Sequence, residues 1–396
     1  MDELQGEASV SVLAGGEPGP EAARSARPPI DDAAVDAIVA AGRTERDEVV
    51  RAVKSSTDVA FTWDYERSRP PLAKLYDKAK HSQWNGSTDL PWELEVDQER
   101  VAHELEGANA GRFAALAGAE DSPLRSWGSA QWSQLAVESL NSMLSQFMHG
   151  EQGALVCTAQ LVETVPWIDA KYYAATQVMD EARHVEVFAH YLDDKLSGHY
   201  PINPYLRTLL EAIIGDERWD VTYLGMQVMV EGLALAVFGA MHHLVSEPLL
   251  KQLLRYVMAD EARHVAFGVL GLQEFYGGLT AHEIRERQEF AYETAQFLRK
   301  RWFQPDVWER MGVDPRMVVR LMLEGQPAEE RAFSSMLFSK IVPNCRKLGL
   351  LDAGDGWLRA RFTEMGVIQY EDAADTGSDY ATFDEVARDR AEAASV

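Results

Sequence analysis

Residues Asp180–Val185 read DEARHV, and the same six letters occur again at Asp260–Val265, eighty residues later. A further glutamate stands 30 residues before the glutamate of each copy, Glu151 in the first case and Glu231 in the second. Such a spacing suits two antiparallel helices joined by a short turn. Each helix would then contribute about 13 residues, which span roughly 20 Å. The repeat therefore predicts two helical hairpins of equal design that pack into one bundle.

Each of the four glutamates of this repeat lies in the apolar stripe of its predicted helix. The row around the first is Leu140, Leu144, Phe147, Glu151 and Leu155, whose spacings of three and four place the side chains on one face. A buried carboxylate without a partner loses much of its hydration energy, and four in one core repel each other. Two divalent cations would supply the missing positive charge, so the pattern favours a dimetal site over surface or salt-bridged residues on ordinary helices.

The repeat also contains a spacing typical of metal-binding helices. In Glu-x-x-His the two side chains lie one turn apart on one face, so both reach the same ion. Packing the hairpins together brings six candidate ligands to one site: Glu151, Glu181, His184, Glu231, Glu261 and His264. One glutamate from each of two helices and Glu-x-x-His from two others form the carboxylate-bridged dimetal arrangement of four-helix bundles. Oxygen and nitrogen donors without thiolate suit two iron ions, or a manganese–iron pair.

Two aspartates directly precede the Glu-x-x-His glutamates. A histidine that binds a metal normally donates its other ring N–H to a carboxylate. We therefore expect Asp180 and Asp260 each to orient a ligand histidine, that of the opposite repeat. Arg183 and Arg263, which lie within the repeated motif, are expected to be ion-pair partners of these aspartates rather than electrostatic gates.

The rest of the chain is predicted to be helical as well. No segment shows sustained alternation with period two, so the fold should be all-α. The apolar periodicity and the positions of proline and glycine predict helices at about 31–54, 71–83, 130–163, 166–197, 202–214, 219–246, 248–276, 281–311 and 314–347.

Composition limits the classes of function and the location. A formal net charge of −25 argues against a nucleic-acid binder, which needs a basic surface. The two cysteines cannot build a disulfide framework, and the N-terminus lacks the features of a signal peptide, so a cytoplasmic protein is expected. The apolar stretch 224–241 carries Glu231 near its middle, which suits a buried bundle helix better than a membrane span.

The doubled Glu…DEARH pattern, over about residues 130–276, resembles the ferritin-like di-iron carboxylate superfamily, especially its oxygenase and ribonucleotide-reductase-small-subunit-like branch. The resemblance implies a ferritin-like four-helix bundle with additional flanking helices, and a reduced di-iron centre that activates O2. In several relatives the aspartate before a ligand glutamate hydrogen-bonds the opposite ligand histidine, which is the role expected here of Asp180 and Asp260.

Four regions follow from this reading of the chain. Residues 1–30 are predicted to be a disordered acidic tail, and 31–125 a helical N-terminal extension. Residues 126–350 should form the ferritin-like di-iron bundle with its C-terminal helices. Residues 351–396 are expected to be an acidic, loosely ordered tail.

Three positions depart from the patterns of particular relatives. Radical-forming reductase subunits usually carry a tyrosine four residues after the first ligand histidine, where this chain has Phe188. Multicomponent bacterial monooxygenases usually carry a threonine one turn after the third-helix glutamate, where this chain has Leu235. The p-aminobenzoate N-oxygenases add a seventh ligand, a histidine, at the position of Val257. These differences weigh against a tyrosyl radical at the usual place and favour an oxygenase outside these branches.

The resulting prediction is a non-haem di-iron oxygenase that hydroxylates or N-oxygenates a small organic substrate with O2. The chain has no glycine-rich dinucleotide fingerprint and no cysteine cluster, so an external reductase or ferredoxin is expected to supply electrons. A homodimer is expected, without nucleic-acid or membrane partners. Two alternatives remain: a non-enzymatic ferritin-like iron-handling or ferroxidase protein, and a radical-generating reductase-type small subunit.

Overall fold

The structure is a computed structural model that describes residues 31–41, 50–106, 116–118, 122–325 and 336–374. Within these ranges the chain forms helices and connecting segments without a β-strand, so the prediction of an all-α fold is confirmed. The predicted tail 1–30 and residues 375–396 lie outside the described residues.

Thirteen α-helices lie within the described ranges. In chain order they are α1 (Asp32–Ala41), α2 (Pro70–His81), α3 (Gln98–Glu106), α4 (Ser129–Thr164), α5 (Ile168–Lys195), α6 (Pro204–Gly215), α7 (Trp219–Leu244), α8 (Pro248–Tyr276), α9 (Ala281–Lys300), α10 (Pro305–Arg310), α11 (Pro315–Gly325), α12 (Ile341–Lys347) and α13 (Trp357–Glu364).

Four long helices form the central bundle. Helix α4 packs along α5, α7 packs along α8, and α5 also contacts α8. Each pair is joined by only three residues, 165–167 in the first hairpin and 245–247 in the second. Helix α2 covers α5 and α8, while α3 lies on α4. This is the predicted ferritin-like four-helix bundle with additional flanking helices.

Helix α8 begins where its local chemistry favours a helix start. The Glu247 side chain accepts hydrogen bonds from Leu249 N at 2.9 Å and Leu250 N at 2.6 Å, and Pro248 occupies the first turn of α8. These contacts satisfy backbone N–H groups that have no partner inside the helix. The proline needs no such partner, and its fixed φ suits a first turn.

Helix α7 changes its winding just before Glu231. Residues Leu224–Val230 form a π-helical segment, and regular α-helix resumes at Glu231. This segment packs closely against its neighbours, because a Cβ on Gly225 would lie 2.7 Å from Ile213 Cγ1 and a Cβ on Gly268 would lie 2.6 Å from Gln227 Cβ. A side chain larger than that of glycine would force both contacts apart. Such π-helical turns are frequent at functional sites.

Among the described residues one helix, Trp219–Leu244, is long and apolar enough to cross a membrane, with a mean hydropathy of 1.6 in its most apolar window. Inside the protein, 83% of that window is buried. The same helix packs against α8 and carries buried Glu231. Helix α7 is therefore a core helix of the bundle, as the sequence predicted.

Two predicted helices end earlier than expected. The helix predicted at 281–311 stops at Lys300 and is followed by a 3-10 turn, Arg301–Phe303. Gln304 then adopts a left-handed backbone with φ of 45°, and Pro305 starts α10. A proline cannot continue the preceding helix, because it lacks an N–H and clashes with the earlier turn. The helix predicted at 31–54 is also shorter, since 50–69 are not helical and 42–49 lie outside the described residues.

Three further differences lie in the flanking regions. Helix α3 was not predicted. The helix predicted at 314–347 is not continuous in the described residues, because a turn precedes α12 and 326–335 lie outside them. Residues 351–374, expected to be loosely ordered, instead pack on the bundle: Leu358 and Phe362 of α13 are fully buried, and Trp357 contacts Tyr292 edge-on at 5.6 Å. The two buried side chains lie four residues apart, which is the periodicity of a packed helix.

Candidate metal centre

Four helices bring the six candidate ligands to the centre of the bundle. Helices α4 and α7 supply one glutamate each, while α5 and α8 supply one Glu-x-x-His each. Their exposed fractions are 5% or less for all six: Glu151, Glu181, His184, Glu231, Glu261 and His264. Groups that would be solvated elsewhere are therefore concentrated away from water.

The ligand atoms form two overlapping groups. In each group the atoms lie within 4.8 Å of one another. The first group, which we call position 1, consists of Glu151, Glu181, His184 and Glu261. The second, position 2, consists of Glu181, Glu231 and His264. The shared member is Glu181, so the geometry suits two ions side by side.

The two Glu-x-x-His glutamates lie between these positions. Glu181 Oε2 is 3.5 Å from His184 Nδ1, while its Oε1 is 3.1 Å from His264 Nδ1. Glu261 Oε1 is 3.1 Å from His184 Nδ1 and 3.6 Å from His264 Nδ1. Each carboxylate thus reaches the histidines of both hairpins, as a carboxylate that bridges two ions must.

Several buried atoms of this site have no hydrogen-bond partner among the residues that the structure describes. They are Glu181 Oε2, Glu231 Oε2, both carboxylate oxygens of Glu261, and His264 Nδ1. A buried polar atom without a partner destabilises a fold by about 1–3 kcal/mol. Metal ions would satisfy all of these atoms, because carboxylate oxygens and imidazole nitrogens are donors that iron and manganese accept. The residues present therefore fit a pair of ions.

Without ions the site holds protons. Burial, together with the charge of Glu261, raises the pKa of Glu151 to about 8 and raises the pKa of Glu231 well above its usual range. Burial opposes the charged form of His184, but hydrogen bonding to Asp260 and neighbouring glutamates raises its pKa well above the ordinary value. Metal binding requires deprotonated ligands, so it must release protons here.

Each aspartate contacts the histidine of the opposite hairpin. His184 Nε2 lies 3.2 Å from Asp260 Oδ2, and His264 Nε2 lies 3.3 Å from Asp180 Oδ2. When Nε2–H donates to the aspartate, the neutral ring keeps its lone pair on Nδ1, the atom that faces the glutamates. This is the tautomer that a metal ligand needs. The structure thus places both aspartates where the sequence analysis expected them, and their role in orienting metal ligands stays a prediction.

The arginines of the repeat bind the same aspartates. Arg183 Nη2 lies 2.5 Å from Asp180 Oδ1 and 3.1 Å from Asp260 Oδ2. Arg263 pairs with Asp260 and lies 3.9 Å from Asp180 Oδ2. All four side chains are buried. They form the structural ion pairs that the sequence predicted, and they join α5 to α8 next to the ligands.

A segment after α2 completes this network, and sequence reasoning missed it. Gln83 Nε2 donates to Asp180 Oδ1 at 3.1 Å, and Trp84 Nε1 donates to Asp260 Oδ2 at 2.8 Å. The Trp84 ring also lies 4.6 Å from the Arg183 guanidinium. Gln83 and Asp180 are 97 residues apart in the sequence, and Trp84 and Asp260 are 176 residues apart. A tryptophan in such a segment indicates core packing by default, so no sequence feature revealed the contact.

Gln177 is a further residue whose role the sequence did not reveal. It lies one turn before Glu181 on α5 and is fully buried. Its Nε2 donates to Glu181 Oε1 at 2.9 Å and to Glu231 Oε1 at 3.0 Å, while its own Oε1 has no hydrogen-bond partner within the described part of the chain. The sequence contained one indication of this role, namely an amide side chain in the apolar stripe four residues before a candidate ligand.

Three phenylalanines pack together near the ligands. Phe147 and Phe188 lie one turn from Glu151 and His184 respectively. Phe238 lies on α7. Their ring centroids are separated by 4.7 Å to 6.2 Å. The phenyl ring at Phe188 has no phenol to oxidise.

Comparisons with known proteins agree with this site. The family model of the P-aminobenzoate N-oxygenase AurF matches residues 159–349, just under half of the chain. This stretch contains five of the six candidate ligands, all except Glu151. The predicted resemblance to the ferritin-like di-iron oxygenases is confirmed. The chain departs from the N-oxygenases at Val257, where their seventh ligand would stand.

Solved structures of R2-like ligand-binding oxidases show a distant likeness. A mutant with an anaerobically reconstituted Mn/Fe cofactor is 18% identical, with a TM-score of 0.42, over 72% of this chain and 94% of that one. The protein with an aerobically reconstituted Mn/Fe cofactor is 16% identical, with a TM-score of 0.40, over 79% and 96% of the two chains. No function follows from likenesses this remote. No curated protein sequence matches this chain.

Proposed function

We propose that this chain is a di-iron oxygenase that uses O2 to hydroxylate or N-oxygenate a small organic substrate. The observation that carries the proposal is the pair of overlapping ligand groups that share Glu181, in a core where four ligand carboxylate oxygens have no hydrogen-bond partner among the described residues. When bound, the metal pair would supply the electrons and Lewis-acid sites for the reaction with O2. A manganese–iron pair is the alternative occupant, since the same donors accept both metals.

The residues of the chain hold and insulate such a pair. Glu181 and Glu261 lie between the two positions, and each histidine presents Nδ1 because an aspartate accepts its Nε2–H. The six ligands are the ones that we propose for the ions: Glu151, Glu181, His184, Glu231, Glu261 and His264. Burial keeps water away, which strengthens the electrostatic interactions inside the site.

We propose an aromatic amine as the first substrate class to test. The matched family is described as a P-aminobenzoate N-oxygenase, and this supports N-oxygenation over hydroxylation. A radical-generating subunit is less well supported, because Phe188 packs against Phe147 and Phe238 instead of offering a phenol. We further propose that the protein is a cytoplasmic homodimer and a monooxygenase that receives electrons from an external reductase or ferredoxin.

The proposal is tested by loading the protein with ferrous iron and supplying O2, a chemical reductant and p-aminobenzoate. We expect oxygenated product from the wild type and none from Glu231→Ala, which also binds less iron. Glu163→Ala is the matched control, because Glu163 is an exposed glutamate in the last turn of α4. Product formation by Glu231→Ala at the wild-type rate would contradict the assignment. Iron loading far above two per chain would instead support an iron-handling protein.

A further inference from the structure

We propose that Gln177 is a positioning residue that makes the two metal positions unequal, by fixing the carboxylates of position 2. The inference rests on the dimetal site of the proposed function. It concerns how the site is built, and it does not depend on the substrate or on the reaction.

The geometry of the Gln177 amide carries the inference. One NH2 group donates to two carboxylates, Glu181 Oε1 at 2.9 Å and Glu231 Oε1 at 3.0 Å. Glu181 Oε1 is the oxygen on the position 2 side, since it lies 3.1 Å from His264 Nδ1. Glu231 then keeps one oxygen, Oε2, without a partner. The amide therefore leaves Glu231 a single free oxygen for an ion.

Within the described ranges position 1 has no equivalent amide, although the two hairpins share their ligand pattern. The offset of eighty residues makes Val257 the counterpart of Gln177 and Glu151 the counterpart of Glu231. Val257 is fully buried and has no side-chain N–H to donate. Glu151 Oε2 instead lies 3.3 Å from His184 Nδ1. The repeat is thus symmetric in its six ligands and two aspartates, and asymmetric one turn before each Glu-x-x-His.

A second pair of equivalent positions in the two hairpins also has an amide on the position 2 side and an apolar residue on the position 1 side. Gln227, four residues before Glu231, is fully buried and donates to Thr158 Oγ1 at 3.4 Å. Its counterpart eighty residues earlier is Phe147, whose ring packs on Phe238 at 4.7 Å. Two amides thus stand one turn before glutamates of position 2 where the counterparts are valine and phenylalanine. The difference between the positions extends beyond one residue.

Hydrogen bonds to ligands commonly change metal affinity by about 10–100-fold. Removing the amide should therefore weaken the ion at position 2 more than the ion at position 1, because Glu231 belongs to position 2 alone and Glu181 is shared. The test is a titration of the metal-free full chain with Co(II), followed by visible absorption, which reports coordination number as well as occupancy. Glu151→Ala and Glu231→Ala serve as backgrounds in which position 1 or position 2, respectively, has lost a ligand of its own.

We expect Gln177→Met to lower Co(II) affinity by about 10–100-fold in the Glu151→Ala background and to change its spectrum there. The same change should have a clearly smaller effect in the Glu231→Ala background, where the amide contacts only the shared Glu181. Gln160→Met is the matched control: Gln160 is a buried glutamine of α4 whose Nε2 donates to Ser55 Oγ and Ile214 O, both at 3.1 Å. It should leave both affinities and both spectra unchanged.

Equal weakening in both backgrounds, or in neither, would overturn the inference. If Gln177→Met does not fold, Val257→Gln provides the converse test, because it offers an amide to position 1. That variant should change the Co(II) spectrum in the Glu231→Ala background only, and an unchanged spectrum there would also overturn the inference. A protein that binds two unequal Co(II) ions but oxygenates no substrate would refute the proposed function and leave this inference intact.

Discussion

His184 of the first hairpin is held by Asp260 of the second, with 3.2 Å between His184 Nε2 and Asp260 Oδ2. Asp260 also accepts from Arg183, Arg263 and Trp84, so four groups from three parts of the chain meet at one carboxylate. The arrangement couples the packing of the hairpins to the orientation of a candidate ligand. The bundle cannot loosen at this level without disturbing the metal centre.

The crossed contact predicts which ion each aspartate affects. Asp260→Asn should lower Co(II) affinity at position 1, where His184 lies, by about 10–100-fold, because the charged acceptor for the ring N–H is lost. Asp180→Asn should do the same at position 2. Titrations in the Glu151→Ala and Glu231→Ala backgrounds assign the effects. If Asp260→Asn weakened position 2 instead, the crossed assignment would be wrong.

Glu181 predicts a difference in metal stoichiometry. Because Glu181 belongs to both ligand groups, Glu181→Ala should leave less than one iron per chain after dialysis. Glu151→Ala removes a ligand from position 1 only and should retain about one of the two ions expected for this arrangement. Inductively coupled plasma mass spectrometry on the purified proteins measures both. Equal losses in the two variants would mean that Glu181 does not serve two ions.

The metal-free protein should lose stability as the pH rises. Glu151 has its pKa raised to about 8 from an ordinary 4.5, so between these values the folded state binds more protons than the unfolded state. The free energy of unfolding then falls with pH, by up to about 1.4 kcal/mol per pH unit for one such group. Burial opposes the protonated form of His264, but the charge of Glu181 favours it, and the pKa of His264 is raised. This raised pKa also makes the free energy of unfolding fall as the pH rises. Stability from a protonated histidine is present at low pH and is lost as the pH rises through the raised pKa.

Urea unfolding of the metal-free protein between pH 5 and pH 8 tests this expectation, with the metal-loaded protein as the control. Bound cations replace the protons, so the loaded protein should be stabilised increasingly as the pH rises. A metal-free protein whose stability increased steadily over this range would show that the buried acids are not protonated.

Close packing of α4 on α6 predicts an asymmetry between two glycines. A Cβ on Gly153 would lie 2.5 Å from Leu210 Cδ2, whereas a Cβ on Gly150 would meet nothing within 4 Å. Gly153→Ala should therefore lower the free energy of unfolding by about 1–3 kcal/mol. Gly150→Ala should raise it by up to about 1 kcal/mol through helix propensity. Thermal unfolding of both variants measures the difference, and an equal effect of the two changes would contradict the close contact.

Much of the fold could be predicted because the central helices carry strong periodicity and clear breaks. The helix predicted at 248–276 has the same bounds in the structure, where Pro248 and Glu247 define its start. The flanking regions were harder. At 281–311 the apolar pattern continued past the helix end, and the left-handed Gln304 has no distinct sequence signature.

The candidate ligands could be found from the sequence because a repeat displays them twice. Contacts that connect different repeats or distant segments could not be found from the sequence. Gln177 differs from its counterpart Val257, so the repeat gave no indication that Gln177 contacts the ligands. Trp84 reaches Asp260 across a large sequence distance that periodicity does not address. The π-helical turn before Glu231 and the close packing at Gly225 and Gly268 beside it likewise have no signal in the periodicity of the sequence.

Anaerobic titration with ferrous iron, followed by stopped-flow mixing with O2, tests whether the bundle holds an O2-activating dimetal site. We expect saturation at about two iron ions per chain and a transient visible absorption band that forms only after O2 is added. Zinc as the only metal retained, or no iron bound after reconstitution, would contradict this expectation. The buried carboxylates would then need another explanation.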